Sequence, residues 1–443
     1  MIQHTMHLYR HARVPCACLP SAVAAAPTDP RAIEPWTECD ILIDGPLIVG
    51  VRSATGSVGL AAPPDTAQTD LGGRIVWPGL IDAHTHLDKT HTWDRAPNPR
   101  GEFWDAIEIL RHDATARWTT ADVYRRAEFG LRSAWAHGTN AVRTHLDSGG
   151  ELGAESHEVM AQLRTEWQGR IALQTVSLCN VAAFSAGEAD RVMKLTRDGG
   201  ASAIGGFPQP NPDLPAQLDY LLAAARELEL GVDLHIDESG LAQAECLRAT
   251  AEAVLRNEFP YPVTCGHNCS LSLHEDARAA STIDLIKQAG IQLIVLPLCN
   301  LYLQGRQWDE QGHPRTPQWR GLTRIHELMQ VGLTVACASD NVRDAFFAWG
   351  DYDLFEVWQA GVRVGHLDTR MHAAAATVTT APATIMGLPQ YGRVTPGSPA
   401  DLVVSPAATF NEFLARPAAP RRLIHGESFR ESEPPDYREL AAH

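Results

Sequence analysis

The feature that most constrains this chain is an alternation, repeated through its middle, of short apolar runs with longer stretches of helical periodicity. The runs open with Leu80-Ile81-Asp82-Ala83-His84-Thr85-His86 and continue with Asn140 to His145, Ile171 to Val176 and Ala201 to Gly205. Val232 to His235, Pro262 to His267, Gln292 to Leu296 and Leu333 to Cys337 complete the set. Helical patterns such as Leu218 to Leu230 and Thr282 to Ala289 lie between them. Parallel strands need crossover connections, and eight strands with helices between them is the plan of an α/β fold, the (β/α)8 TIM barrel.

The flanks read differently. Cys39-Asp40-Ile41-Leu42-Ile43 and Leu47-Ile48-Val49-Gly50 near one end are short β-like pieces separated by turn residues. So are Ala400-Asp401-Leu402-Val403-Val404 and Arg422-Leu423-Ile424-His425-Gly426 near the other. The expectation is a small β-sandwich domain built from both termini, residues 1–75 and 386–443, around a catalytic barrel at 76–385.

Charge and composition narrow the partners. A formal net charge of −16 with no long basic run argues against nucleic acid and against anionic membrane surfaces. No run of 18 apolar residues is present, so no membrane span is expected. The N-terminus has no signal-like apolar core. The 9 Cys are scattered, several in apolar runs (Cys265, Cys299, Cys337), which does not suggest a disulfide framework. A cytoplasmic location follows as the expectation.

Barrels of this kind carry their chemistry at the C-terminal ends of the strands. His84 and His86 are two apart on the first strand and so face one side. His235 ends the fifth strand, His267 the sixth, and Asp340 follows the eighth. Imidazoles and a carboxylate converging there suit Zn²⁺, Fe²⁺ or Mn²⁺. Glu238 lies three residues past His235, within reach of water held at such an ion.

Those residues sit in stretches that resemble the amidohydrolase superfamily, and within it the cytosine deaminase branch. The matching stretches are Pro78 to Asp88, Arg143-Thr144-His145-Leu146-Asp147, His235-Ile236-Asp237-Glu238 and Val263-Thr264-Cys265-Gly266-His267. Pro297-Leu298-Cys299-Asn300, Leu303-Gln304-Gly305-Arg306, Ser339-Asp340-Asn341 and Gly397 to Val404 continue the likeness, which runs from about residue 70 to 430. The resemblance implies one divalent metal ion held by His84, His86, His235 and Asp340. It implies that His267 hydrogen-bonds the nucleophile or transition state, that Glu238 shuttles protons, and that Asp340 also accepts a proton from the nucleophile. Binuclear relatives bridge two metals with a lysine after the third or fourth strand. Neither Leu178-Cys179-Asn180 nor Gly205-Gly206-Phe207 offers one, and Lys89 reads as an ordinary salt-bridged or solvent-facing lysine.

The implied activity is hydrolytic deamination of a small cyclic amidine such as cytosine, isocytosine or a related heterocycle, with ammonia leaving. The departures concern the substrate. Asn180 stands where the branch usually has Gln, and Asn341 where it has a second Asp. The segment Ser339 to Asp344 looks more like triazine amidohydrolases that release an alkylamine, and that release, or the opening of a cyclic amide, is the alternative. A non-catalytic scaffold on the same fold is the remote one. Both departures suit a ring bulkier than cytosine or one with a different donor–acceptor pattern, such as a substituted pyrimidine or a triazine, with Gln304 and Arg306 left to contact polar edges and Phe346 to stack. A homo-oligomer is expected by analogy with relatives.

Overall fold

The computed structural model describes residues 6–24, 34–54, 60–149, 153–430 and 433–441. The chain forms two compact units. One gathers Met1–Asp82, Ala134–Ala141 and Asp353–Pro434, the other Ala83–Ser133, Val142–Tyr352 and Pro435–His443.

The first of these units carries two four-stranded sheets. In the first, Leu47–Ser53, Trp36–Asp44, His7–Pro15 and Ala67–Asp70 lie side by side in that order. In the second the order is Ser428–Arg430, Arg422–His425, Asp401–Val404 and Val76–Pro78. Ile41 and Ile43 are two apart on one strand, Leu402 and Val404 on another, so each pair turns to a single face. All four join Tyr9, Val14, Val76 and Ile424 in one buried cluster. The two ends of the chain therefore share a core, as their matching β-like character predicts.

The same unit holds an aromatic cluster. Trp77 is fully buried and meets Phe355, Trp358 and Phe410 at centroid distances of 5.2, 5.3 and 5.7 Å. Phe355 and Trp358 belong to helix Leu354–Val364, whose first turn is capped by Asp353 accepting from Phe355 N at 3.0 Å. That carboxylate also takes two guanidinium nitrogens of Arg421, at 2.8 and 2.7 Å.

The barrel strands are Leu80–Thr85, Thr139–Asp147, Ala172–Asn180, Ala203–Phe207, Gly231–Ile236, Val263–His267, Gln292–Val295 and Val335–Cys337, each beside the next in one eight-stranded sheet. Beyond the last strand, Asp340 forms a parallel bridge with Thr85 and donates its N–H to His84 O at 2.9 Å, which closes the ring. All eight expected strands are present. The helices expected from Leu218 and Thr282 begin earlier, at Leu214 and Asp276. Pro215 sits in the first turn of the former, where its fixed φ favours initiation and its missing N–H costs nothing. That helix also stops early, at Glu227, before Glu229 turns to φ 56°. All nine cysteines are buried, and none forms a disulfide among the described residues. Among the described residues, no helix is long and apolar enough to cross a membrane.

Candidate active site

The first barrel strand is buried along its whole length, and its alternation sends His84 and His86 into the interior. The ring needs room there. A side chain on Gly266, paired in register with His235, would place its Cβ 3.1 Å from His84 Cε1. Glycine at that position keeps the space open.

Nε2 of His235 lies 3.1 Å from Nε2 of His84 and 3.1 Å from Nε2 of His86. Asp340 Oδ1 lies 3.5 and 3.3 Å from the same two nitrogens of His84 and His86. Both Asp340 oxygens are buried and have no hydrogen-bond partner among the described residues. Burial holds His84 and His235 well below the usual imidazole range, the neighbouring imidazoles adding to it. Burial alone would raise Asp340, but the imidazoles of His267, His86 and His84 outweigh it and keep the carboxyl ionised. Neutral nitrogens and an ionised carboxylate crowded this closely do not satisfy one another by hydrogen bonding. Ligand bonds of about 2.0–2.2 Å put the donors of a shared tetrahedral ion roughly 3.3 Å apart, and this set matches that spacing. The four residues fit one divalent cation.

Three further side chains, those of Glu238, Cys299 and His267, lie beside the cluster. One ligand atom each of Glu238, Cys299 and Asp340 lie within 4.8 Å of one another. Burial, and then the charge of Asp340, push Glu238 well above the usual carboxylate range. Glu238 Oε1 is 3.4 Å from His267 Nδ1, which also receives the Asn300 side-chain amide at 2.9 Å. Burial lowers His267 to about 4, so its ring is neutral near pH 7.

The strand ends turn sharply. Asp237, His267 and Asp340 adopt left-handed backbone, with φ of 48°, 67° and 62°. Such conformations cost about 1–3 kcal/mol each in a non-glycine residue and persist only where surroundings impose them. Here the Asp237 carboxylate accepts from Cys246 N and Leu247 N at 3.1 and 3.0 Å, and Asp340 N is fixed on His84 O.

The residues expected to read the substrate divide. Gln304 is buried and donates to Glu238 O at 3.3 Å. Asn341, next to Asp340, donates to Asp344 Oδ2 at 2.7 Å. Arg306 donates to Tyr302 O at 2.9 Å and lays its guanidinium 4.5 Å over the Tyr302 ring. Phe346 packs edge-on against Phe103 at 5.4 Å. Asn180 is exposed, and its side-chain oxygen accepts from Ala182 N at 2.9 Å, a local turn bond. Lys89 is buried and bound to Asp147 at 2.7 Å, the salt-bridged of the two arrangements expected for it. The sequence reading gave no role to Asn300 or Asp344, although Asn300 stands in one of the matching stretches.

Residues 104–426 match the amidohydrolase family. The chain belongs to that family. This amidohydrolase is 44% identical to the pterin deaminase of Rhizobium rhizogenes over 427 residues, 96% of this chain and 94% of the relative. It is 24% identical to the N-isopropylammelide isopropyl amidohydrolase of Pseudomonas sp. strain ADP over 353 residues, 76% of this chain and 81% of that one. In fold it resembles the 5-methylcytosine deaminase of Klebsiella pneumoniae liganded with 5-fluorocytosine, with a TM-score of 0.80 at 22% identity, covering 97% of this chain and 99% of the other. The amidohydrolase is a hydrolase acting on carbon–nitrogen bonds.

Proposed function

We propose that this amidohydrolase deaminates a 2-amino-4-oxo pyrimidine fused to a second ring, the pterin type, releasing ammonia. The half-buried Glu238 carboxylate beside the Asp340 group carries the deaminase reading, because a proton carrier there serves ring and leaving amine in turn. The substrate class rests on the pterin deaminase likeness, which spans nearly the whole chain. It agrees with Asn341, the departure beside Asp340 that suits a ring larger than cytosine, and a pterin's pyrimidine half is an isocytosine.

His84, His86, His235 and Asp340 would hold one divalent ion, and Zn²⁺ or Fe²⁺ suits them. Bound there, the ion would supply Lewis acidity that lowers the pKa of water toward neutrality. The chain's own residues do the rest. Glu238, made a stronger base by burial, takes a proton from the attacking water and delivers it to a ring nitrogen. A second transfer carries a proton to the amino group as it leaves. His267, with Nδ1 occupied by the Asn300 amide, carries its proton on Nε2 and donates to the oxygen that gains charge. Gln304, tied to the Glu238 carbonyl, and Asn341, held by Asp344, present amides to the ring edges. Arg306 and Phe346 would flank a larger ring.

The test is a panel of pterin, isocytosine, cytosine and an N-alkylated triazine with metal-loaded protein, reading ammonia and alkylamine separately. Pterin is expected to have the highest kcat/KM and cytosine to be poor. Highest kcat/KM on cytosine would overturn the substrate class. Alkylamine as the main product would favour the second reading, which the N-isopropylammelide relative supports.

A further inference from the structure

One step deeper along the barrel strands lies a polar layer that the proposed reaction leaves unused. Arg143 and His145 are two apart on Thr139–Asp147, and Asp233 is two before His235 on Gly231–Ile236, so each turns inward with its neighbour. His145 and Asp233 are both fully buried. Arg143 Nη1 donates to Asp233 Oδ2 at 3.0 Å, while its Nε and Nη2 donate to Gln174 Oε1 at 3.0 and 2.8 Å. The ring of His145 lies against that of His84, with centroids 4.1 Å apart and a 35° tilt, and stands edge-on to His235 at 4.8 Å. It is 5.6 Å from His86, so it backs all three ligand imidazoles. A nitrogen each of His84 and His145 and one oxygen of Asp233 lie within 4.8 Å of one another. Asp233 Oδ1 is 3.8 Å from His145 Nε2. That oxygen, both nitrogens of His145 and Nδ1 of His84 have no hydrogen-bond partner among the described residues.

The requirement these groups meet comes from His84 itself. Its Nε2 faces His235 and Asp340 and must offer a lone pair to a shared ion, so its proton belongs on Nδ1. A ligating imidazole donates that second N–H to a carboxylate, carbonyl or water, which fixes both tautomer and ring orientation. We propose that Asp233, anchored by Arg143 and Gln174 and acting with His145, is the positioning layer of the metal centre and holds His84 in its ligating tautomer. A second cation among His84, His145 and Asp233 is disfavoured, because the Arg143 guanidinium already occupies the carboxylate. The proposal rests on the metal reading of the four residues above.

The test uses the full chain, stripped and reloaded, with Zn²⁺ affinity read by chelator competition, the visible spectrum of the Co²⁺ form, and unfolding of the metal-free protein. Asp233→Asn is expected to weaken Zn²⁺ binding about 10- to 100-fold and to shift the Co²⁺ bands, with His145→Gln moving in the same direction. Metal-free unfolding of His145→Gln is expected to match the parent. Asp233→Asn leaves Arg143 buried without its counter-charge, so His145→Gln, which alters no charge, decides if that variant does not fold. Unchanged affinity and spectrum in His145→Gln would overturn the proposal. So would a metal-free protein destabilised in step with the loss of affinity, since that marks a purely structural layer. His84→Ala separates the two levels. If it keeps normal Zn²⁺ affinity, the metal reading fails; if it loses binding while the other variants bind normally, only the present proposal fails.

Discussion

Two interiors of this molecule are equally hidden from water and are made of opposite materials. Phe355, Trp358 and Phe410 meet Trp77 edge to face, Phe413 packs in the same way on Phe355 and Trp358, and the Trp358 indole N–H donates to Ala374 O at 2.9 Å. Burying such rings stabilises the fold by roughly 25 cal/mol per Å² of apolar surface. At the barrel strand ends, burial instead encloses imidazoles and carboxylates whose polar atoms lack partners, a costly arrangement in the absence of a ligand. Where unsatisfied polar groups gather around one point, packing is not what selected them. The contrast separates a site from a core without reference to any relative.

The largest test of that contrast is Glu238→Gln. An amide of the same shape cannot carry protons, and kcat is expected to fall about 10²- to 10⁴-fold with metal content intact. Resistance of the metal-free protein to denaturant should stay level or rise, since a neutral group replaces a half-buried acid beside Asp340. Near-normal kcat in a metal-replete variant would remove Glu238 from the mechanism. The parent enzyme should also lose activity as pH falls through the raised Glu238 value, above the ordinary 4.5, because its ionised form accepts the first proton.

Trp77→Ala probes the other interior. Loss of the ring is expected to cost about 3–5 kcal/mol by denaturant unfolding. A loss within experimental error would mean that the aromatic cluster is not a stabilising core.

A smaller effect is expected from acid at Asp353. Burial raises this carboxyl, but Arg421, His137 and the Phe355 N–H together bring it below the ordinary 3.8. A lowered folded value means that the pair's contribution is present above 3.8 and is lost as pH drops toward the folded value. Asp353→Asn should therefore flatten the acid end of the stability profile, and an unchanged profile would count against the pair.

The smallest effect is expected at Asn180. Its side chain is exposed and bonded to its own turn, so Asn180→Ala should leave kcat/KM for the preferred heterocycle nearly unchanged. A large loss specific to one substrate would instead place this amide on the ring.

The strand ends were legible because period-2 alternation and the position of catalytic residues in barrels are local rules applied to His84, His86, His235 and Asp340. The joint domain of the termini was legible for a similar reason, since strands with matching apolar faces need partners. Partnerships across the barrel were less accessible. Nothing near Asn300 in sequence shows that its amide meets His267, 33 positions earlier. The Asp344 contact to Asn341 depends on how the loop after the eighth strand folds back. The inward position of Asp233 was legible by the same alternation, two residues before His235 on one strand face. Asn180 shows the limit of position matching, because an aligned amide can be engaged locally instead.

The left-handed residues at the strand ends divide the molecule's labour. Each abrupt turn at Asp237, His267 or Asp340 separates an inner half, whose spacing is fixed by the strand ladder, from the loop that follows it. Asn341, Asp344 and Phe346 fall on the outer side of one such turn, and Glu238 immediately follows another. The enzyme is thus modular at the scale of single loops. Exchanging the segment beyond Asp340 for that of a relative should change which ring is accepted while leaving metal retention intact, so new specificities can arise here by grafting without rebuilding the reactive centre.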